Sequence, residues 1–200
     1  KYLNKKESRI IYNSIDLSRF RRIKYLNNNK QIIIVNVGSF SENKNQLFII
    51  EMLPFIINEI PNINLKLVGF GEKYKQKLTK RVKDLRLETY VEFLPPNTNI
   101  PKLLNKANLF IFPSKREGFG IALLEAQAME VPCLVSDTVP KIVDVGMSKF
   151  LSLSEGKEVW AKKAVEILRG NHNLELDRDK LRKFDLKQYI NEIKNVYLSK

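Results

Sequence analysis

The chain has 200 residues, of which 44% are hydrophobic and 28% are charged, so it is long enough for one domain with a sizeable core. No apolar run approaches the roughly 18 residues needed to cross a bilayer, so we expect no membrane-spanning segment. Lysine and arginine outnumber aspartate and glutamate by 35 to 22, giving a formal net charge of +13. That charge favours anionic ligands, lipid head groups or nucleic acid without choosing among them.

The cysteine content indicates the cellular setting. A single cysteine, Cys133, excludes an intramolecular disulfide, and its apolar neighbours predict that it is buried. We therefore expect a reducing, cytoplasmic compartment.

The elements predicted from apolar spacing alternate along the chain. A polar connector, Asn27–Asn29, precedes the first core strand. Apolar, β-branched runs predict buried strands at residues 31–37, 63–68, 109–112 and 132–135. Helical spacing predicts helices at 47–60, 73–85, 100–106, 121–129 and 157–168. This alternation predicts an α/β fold with a Rossmann-like, doubly wound parallel sheet, a core at about 30–170 and a charged C-terminal helical arm at 177–200.

The densest basic stretch runs from Lys73 to Lys83, with Leu78 and Val82 at helical spacing. Its lysines are therefore expected on the outer face of an amphipathic helix. That face is either solvated or in contact with an anionic membrane surface. Nucleic-acid binding is not expected, because the sequence shows neither a known module nor basic residues interleaved with exposed aromatics.

Residues 113–125 carry the strongest chemical signal. The segment leaves a predicted strand, passes Gly118 and Gly120, and enters a predicted helix. Amides at a helix N-terminus favour a phosphate, and glycines permit its close approach. Two carboxylates in the same segment, Glu117 and Glu125, suit the hydroxyls of a sugar or ribose. Together these groups predict a nucleotide-sugar site.

The residues Glu117-Gly118-Phe119-Gly120, with Glu125 eight positions after Glu117, resemble the E-x7-E motif of glycosyltransferase family 4. That family is retaining and has the two-domain GT-B fold. Four further segments resemble its other motifs in order: 11–16 with Phe20 ("N-G-I-D…F"), 37–44 ("V-G-R-x-x-x-x-K"), 67–71 ("V-G-x-G") and 132–137 (a strand ending in "S-D"). The similarity covers about residues 10–168, and 150–153 and 160–161 resemble bacterial capsule and exopolysaccharide members.

The resemblance implies a role for each matching residue. Glu117 would contact the donor sugar, and Lys44 would neutralise the diphosphate as it becomes the leaving group. Glu125 would hold the ribose hydroxyls. Further contacts with the donor are implied for Gly38, Ser39, Gly69, Leu94, Pro95, Gly118, Phe119, Gly120 and Ile121. No metal and no cofactor is expected, since the nucleotide-sugar is the donor substrate.

Three features of the sequence, at four positions, depart from this resemblance or add to it. Ser39 stands where the family usually has arginine, so one of two diphosphate cations is missing. Glu130 replaces a common glycine, which implies a turn. Asp177 and Asp179 match the D-x-D pattern of metal-dependent glycosyltransferases, but they open a charged helix where acidic caps are expected.

The resemblance identifies the chain as the C-terminal, nucleotide-sugar-binding domain of a GT-B enzyme, with the N-terminal acceptor domain outside it. The whole enzyme would transfer a hexose, with retention, from a nucleotide-sugar that we expect to be a UDP-sugar. The acceptor would be a polysaccharide or lipid-linked intermediate of cell-surface glycan synthesis, at the inner face of the plasma membrane. The isolated domain is expected to turn over poorly. The alternative is a non-catalytic nucleotide-sugar-binding or membrane-docking module.

Overall fold

The computed structural model describes residues 10–23 and 31–198, and the predicted Asn27–Asn29 connector lies outside them. Within these residues, parallel strands form one sheet in the order β3-β2-β1-β4-β5-β6. The strands are β1 (Ile32–Val37), β2 (Ile63–Val68), β3 (Val91–Leu94), β4 (Leu109–Phe112), β5 (Cys133–Ser136) and β6 (Ser148–Leu151). The predicted Rossmann-like parallel sheet is confirmed, and each strand predicted from an apolar run is present.

Helices follow the strands at the predicted places. They are α1 (Gln46–Glu59), α2 (Glu72–Asp84), α3 (Ile100–Leu104), α4 (Ile121–Ala128), α5 (Gly156–Leu168), α6 (Arg178–Arg182) and α7 (Leu186–Leu198). Strands β3 and β6 were not predicted. Both lie at the edges of the sheet with partly exposed side chains, so neither contains the continuous apolar run of a central strand.

The sheet separates two apolar cores. On β1, Ile33 and Val35 enter one core while Ile34 enters the other, because successive side chains of a strand point to opposite faces. Helices α3, α4 and α6 cover the first core, and α1, α2 and α5 cover the second. In the second core Trp160 of α5 is fully buried and meets the Phe48 ring edge-on at 5.3 Å. This double covering leaves the carboxyl ends of the strands as the place for a site.

The C-terminal arm consists of two helices rather than one. Asp177 caps α6 by accepting hydrogen bonds from the amides of Asp179 (3.1 Å) and Lys180 (2.9 Å), so the D-x-D pattern serves as the expected helix cap. Phe184 follows α6 and is buried in the first core, where its carbonyl accepts a hydrogen bond from the amide of Ile15 at 2.9 Å. The start of the arm therefore packs on this chain's own core. By contrast, α7 has no buried residue.

Two expectations from composition, on Cys133 and on membrane spans, can be compared with the structure. Cys133 is fully buried on β5, as predicted, and burial raises the pKa of its thiol. Among the described helices, none combines the length and apolar character needed to cross a membrane.

The turn that follows α4 contains a residue in the left-handed region. Glu130 has φ 55°, and the amide of Val131 donates back to the carbonyl of Ala126 at 3.1 Å. This geometry is that of a helix C-terminus usually closed by glycine. Glu130 also forms an exposed ion pair with Arg178 at 2.7 Å. The family's glycine at this position is thus explained by the backbone.

We predict that the Glu130→Gly variant is more stable than Glu130→Ala by about 1 kcal/mol. Both substitutions remove the ion pair with Arg178, so their difference isolates the cost of a Cβ atom at positive φ. Denaturant titration of the two variants measures this difference, and equal free energies of unfolding would contradict it.

Candidate functional site

A cleft of about 530 Å³ opens at the carboxyl edge of the sheet. Val37 and Phe112, which end β1 and β4, contribute to its apolar lining. Of the residues predicted from the sequence, those that line it are Gly38, Lys44, Glu117, Gly118, Phe119, Gly120 and Ile121. The structure therefore brings the loop after β1 and the loop after β4 into one site.

The position of the cleft follows from strand order. Strands β1 and β4 are neighbours, with Ile34 paired to Leu109 and Val35 to Phe110. After β1 the chain continues toward β2 on one side, and after β4 it continues toward β5 on the other. The two connections diverge and leave a crevice between them, which is where ligands of open parallel sheets bind.

An ion pair lies within this cleft. Lys44 Nζ donates a hydrogen bond to Glu117 Oε2, and the two side chains are only 21% and 15% exposed. The same ammonium group lies 5.2 Å from the centroid of the Phe112 ring. A Cβ atom on Gly38 would lie 3.5 Å from the Lys44 side chain, so the lysine extends across that glycine. The site thus holds one cation and one anion, each neutralised by the other.

The glycines of the β4–α4 loop have different physical explanations. Gly120 has φ 101°, a conformation that requires glycine. Gly118 has no neighbouring atom within 4 Å of an added Cβ, so packing does not require glycine there. Close approach of a ligand is a physical reason for glycine at such a position. No described side chain caps α4, so the amides of its first turn are suited to an anion.

An aromatic cluster forms one wall of the cleft. Tyr12 stacks on Phe119 with centroids 6.2 Å apart, and Phe184 meets the Phe119 ring edge-on at 5.9 Å. Tyr12 and its neighbours Ile11 and Asn13 line the cleft but were not among the predicted site residues. The resemblance of 11–16 to a family motif was the available signal for them. No sequence pattern predicted that Phe184 would contact this aromatic cluster.

Glu125 lies one helical turn beyond Ile121 and does not line the cleft. Burial raises the pKa of its carboxyl group from 4.5 to about 7, and the opposing effect of the Arg19 charge is smaller. Within the described part of the chain its side chain has no hydrogen-bond partner. The carboxyl group therefore keeps its proton to a higher pH than an exposed glutamate does.

Besides Glu125, four predicted contact residues lie outside the cleft lining: Ser39, Gly69, Leu94 and Pro95. The carbonyl of Ser39 accepts a hydrogen bond from Gln46 Nε2 at 3.0 Å. At Gly69 a Cβ atom would lie 2.1 Å from the carbonyl oxygen of Gly38, so this glycine permits close packing of two loops. Leu94 ends β3, which β2 separates from β1. The assignment of these residues to a donor stays a prediction.

Comparison with known proteins identifies a family. Residues 18–183 match the family described as Glycosyl transferases group 1. EpsF of Bacillus subtilis (strain 168), provisionally named a glycosyltransferase, is 30% identical over 172 residues, which cover 84% of this chain and 44% of EpsF. An Escherichia coli UDP-Gal:alpha-D-GlcNAc-diphosphoundecaprenol alpha-1,3-galactosyltransferase is 30% identical over 148 residues, covering 68% of this chain and 38% of that protein. The chain thus spans less than half the length of these relatives.

Solved structures with low sequence identity share the fold. Anabaena Alr3699/HepE, crystallised in complex with UDP and glucose, is 19% identical with a TM-score of 0.82, over 96% of this chain and 57% of that one. The pneumococcal O-GlcNAc transferase GtfA, in complex with UDP and GlcNAc, is also 19% identical with a TM-score of 0.72, over 91% of this chain and 37% of that one. Together with the match over residues 18–183, these findings show that the chain belongs to the glycosyl transferases group 1 family.

Proposed function

We propose that this chain is the nucleotide-sugar-binding part of a retaining, family 4 glycosyltransferase that uses a UDP-sugar. The observation that carries the proposal is the Lys44–Glu117 ion pair in a glycine-lined cleft at the uncapped N-terminus of α4. A cation, free amides and a carboxylate in one cleft suit the diphosphate and the hydroxyls of a nucleotide-sugar. The names of the Escherichia coli relative and of the HepE and GtfA complexes support UDP as the nucleotide.

Lys44 and Glu117 have different roles at the sugar–phosphate bond. Lys44 offsets the negative charge that grows on the diphosphate as the bond to the sugar breaks. The amides from Gly118 to Ile121 bind the diphosphate and the sugar. Glu117 accepts hydrogen bonds from sugar hydroxyls, and its ion pair holds Lys44 beside the leaving group. Neither role requires a metal ion or a cofactor.

Glu125 binds the ribose in this proposal. It follows Ile121 by four residues, so both project from the same face of α4. Ribose hydroxyls donate to an ionised carboxylate more strongly than to a protonated one. Donor binding therefore favours loss of the proton that Glu125 holds at acidic pH.

In this proposal a second domain binds the acceptor, because the chain spans less than half the length of its relatives. We infer that the chain is the C-terminal half of a GT-B enzyme whose acceptor is a polysaccharide or lipid-linked intermediate. Relatives named for capsular polysaccharide biosynthesis support that acceptor class. Exposed apolar side chains on α7, among them Ile190 and Val196, suit packing against the N-terminal half of that enzyme. Without that half, the chain binds its donor weakly and turns over little.

Ser39 favours a second candidate, a non-catalytic module that binds the nucleotide-sugar. This residue leaves the site with Lys44 as its cation where the family usually supplies two. Transfer measured with the whole enzyme separates the candidates. A catalytic site loses transfer in Glu117→Ala at saturating donor, whereas surviving transfer would refute the role of Glu117.

The basic face of α2 supports a peripheral location on an anionic membrane, at its cytoplasmic side. Lys73, Lys77 and Lys83 are exposed, while Leu78 and Val82 on the opposite face are buried. Juxtaposed lysines are attracted to anionic head groups.

Donor binding tests the site directly. We expect Lys44→Ala to weaken UDP-glucose binding by roughly ten- to a hundredfold, the range for loss of a charged hydrogen bond. Gly118→Ala should weaken binding at least about tenfold while changing the free energy of unfolding by less than about 0.5 kcal/mol, because its Cβ meets only open space. Calorimetric titration and denaturant unfolding measure both quantities. Full donor affinity in both variants would disprove the assignment.

The ionisation of Glu125 predicts a pH dependence. With a pKa of about 7 in the free protein, the carboxylate fraction rises between pH 6 and pH 8, so UDP-glucose affinity should rise roughly tenfold over that interval. The diphosphate of UDP-glucose does not titrate there. Titration calorimetry at both pH values should show the rise in the unsubstituted chain and its absence in Glu125→Gln.

The same ionisation predicts a change in stability that needs no ligand. Because folding raises the pKa of Glu125, the folded state binds more protons than the unfolded state between pH 4.5 and about 7, and stability is lost as pH rises through that window. Glu125→Gln should therefore raise the free energy of unfolding at pH 8 by on the order of 2 kcal/mol, allowing for partial solvent exposure, and by little at pH 4.5. An equal effect at both pH values would show that Glu125 does not titrate in this way.

Membrane contact is tested by sedimentation with phosphatidylglycerol vesicles. Substitution of Lys73, Lys77 and Lys83 by glutamine should weaken binding by on the order of a hundredfold, at about 1 kcal/mol for each lysine. The control replaces Lys162, Lys187 and Lys194, which are exposed elsewhere, and has the same net charge. Equal losses in both triple variants would show that α2 is not the contact surface.

A further inference from the structure

Two asparagines flank Lys44 in the sequence, and each bonds to the loop that carries Glu117. The carbonyl of Asn43 accepts a hydrogen bond from the amide of Lys115 at 2.7 Å, and Asn43 Nδ2 donates to the carbonyl of Arg116 at 2.8 Å. Arg116 directly precedes Glu117. One side of Lys44 is thus tied to the backbone next to its ion-pair partner.

On the other side of Lys44, Asn45 forms a hydrogen bond to the same loop. Its Nδ2 donates to the carbonyl of Pro113 at 3.2 Å, where the chain leaves β4. Its backbone has φ 57° and ψ 36°, a left-handed conformation that glycine adopts most easily and asparagine tolerates. Asn45 sits at the N-cap of α1, yet its side chain does not cap the helix. The cross-loop hydrogen bond is therefore the use that the structure shows for this side chain.

We propose that Asn43 and Asn45 are positioning residues that hold Lys44 against Glu117 by tying the loop after β1 to the loop after β4. The role of that ion pair in donor binding rests on the function proposed above. A lysine has a flexible stem, so its position depends on where its backbone is held. With three hydrogen bonds fixing the backbone on both sides, Lys44 Nζ reaches Glu117 and the face of Phe112 without a search among loop conformations.

A second ion pair between the described residues of these loops is weaker. Lys115 Nζ lies 2.9 Å from Glu42 Oε1, but both side chains are exposed, at 48% and 77%. Exposed pairs contribute little and are screened by salt. We therefore assign the alignment of the loops to the asparagines rather than to this ion pair.

Asn45→Gly is the informative variant, because glycine keeps the left-handed backbone and removes only the cross-loop hydrogen bond. Asn43→Ala removes one bond on the other side. The matched control is Asn173→Gly, at an exposed position beyond α5.

The first measurement requires no donor. In lysine-labelled protein, the ¹³Cε–¹Hε resonance of Lys44, assigned with Lys44→Arg, reports the ring current of Phe112. We expect this resonance to move toward that of a free lysine in Asn45→Gly and Asn43→Ala, and to stay in place in Asn173→Gly. A general loss of loop stability would instead shift the resonances of other lysines in the two loops as much as that of Lys44. An unmoved Lys44 resonance in both variants would overturn the proposal.

The second measurement is calorimetric titration with UDP-glucose. Each asparagine variant should bind roughly three- to tenfold more weakly, which is the range for loss of one hydrogen bond, while Asn173→Gly binds normally. If the unsubstituted chain binds no UDP-glucose, the proposed function fails, and the Lys44 resonance still decides the positioning role. A displaced Lys44 resonance with unchanged donor affinity would overturn the functional part of the inference.

Discussion

The pairing of β1 with β4 is the constraint on which the rest of the site depends. These strands are far apart in the chain, yet Ile34 pairs with Leu109 and Val35 with Phe110. Parallel pairing places both carboxyl ends at one edge, and the connections then diverge to opposite sides. Lys44 and Glu117, separated by 73 positions, meet there as a consequence. Close packing of Gly69 against the carbonyl of Gly38 supports the first of these loops from β2.

The two carboxyl groups proposed for the site, those of Glu117 and Glu125, have different surroundings. Lys44 and Glu117 neutralise each other over the ring of Phe112, so the free cleft carries no net charge from this pair. Among the described residues Glu125 has no such ion-pair partner, and burial raises its pKa against the smaller opposing effect of the Arg19 charge. A carboxyl group that opposes folding when it ionises is retained more readily where a ligand needs it. A pKa raised in this way is common at functional sites, and a ribose-binding role is the one proposed for Glu125.

The fold also explains which glycines serve the backbone and which leave space. Gly69 and Gly120 are required by packing and by φ, whereas Gly118 is required by neither. At Glu130 the backbone would favour glycine, yet a non-glycine residue occupies this left-handed turn. The α6 segment shows a similar separation of pattern from role, since Asp177 in a D-x-D sequence caps a helix. The role of a short sequence motif thus depends on the backbone conformation around it.

The central strands of the sheet and the segment that lines the cleft could be predicted from the sequence. Central strands such as β4 are apolar throughout, and the residues from Glu117 to Gly120 are contiguous, so local order contains both signals. The tertiary structure was needed to reveal the edge strands β3 and β6, whose mixed polar and apolar segments form strands by pairing with β2 and β5. It also decided the contact of Phe184 with Phe119, the asparagine ties around Lys44 and the pKa of Glu125. Each of these depends on distance or burial between segments that are remote in the chain, which spacing along one segment does not encode.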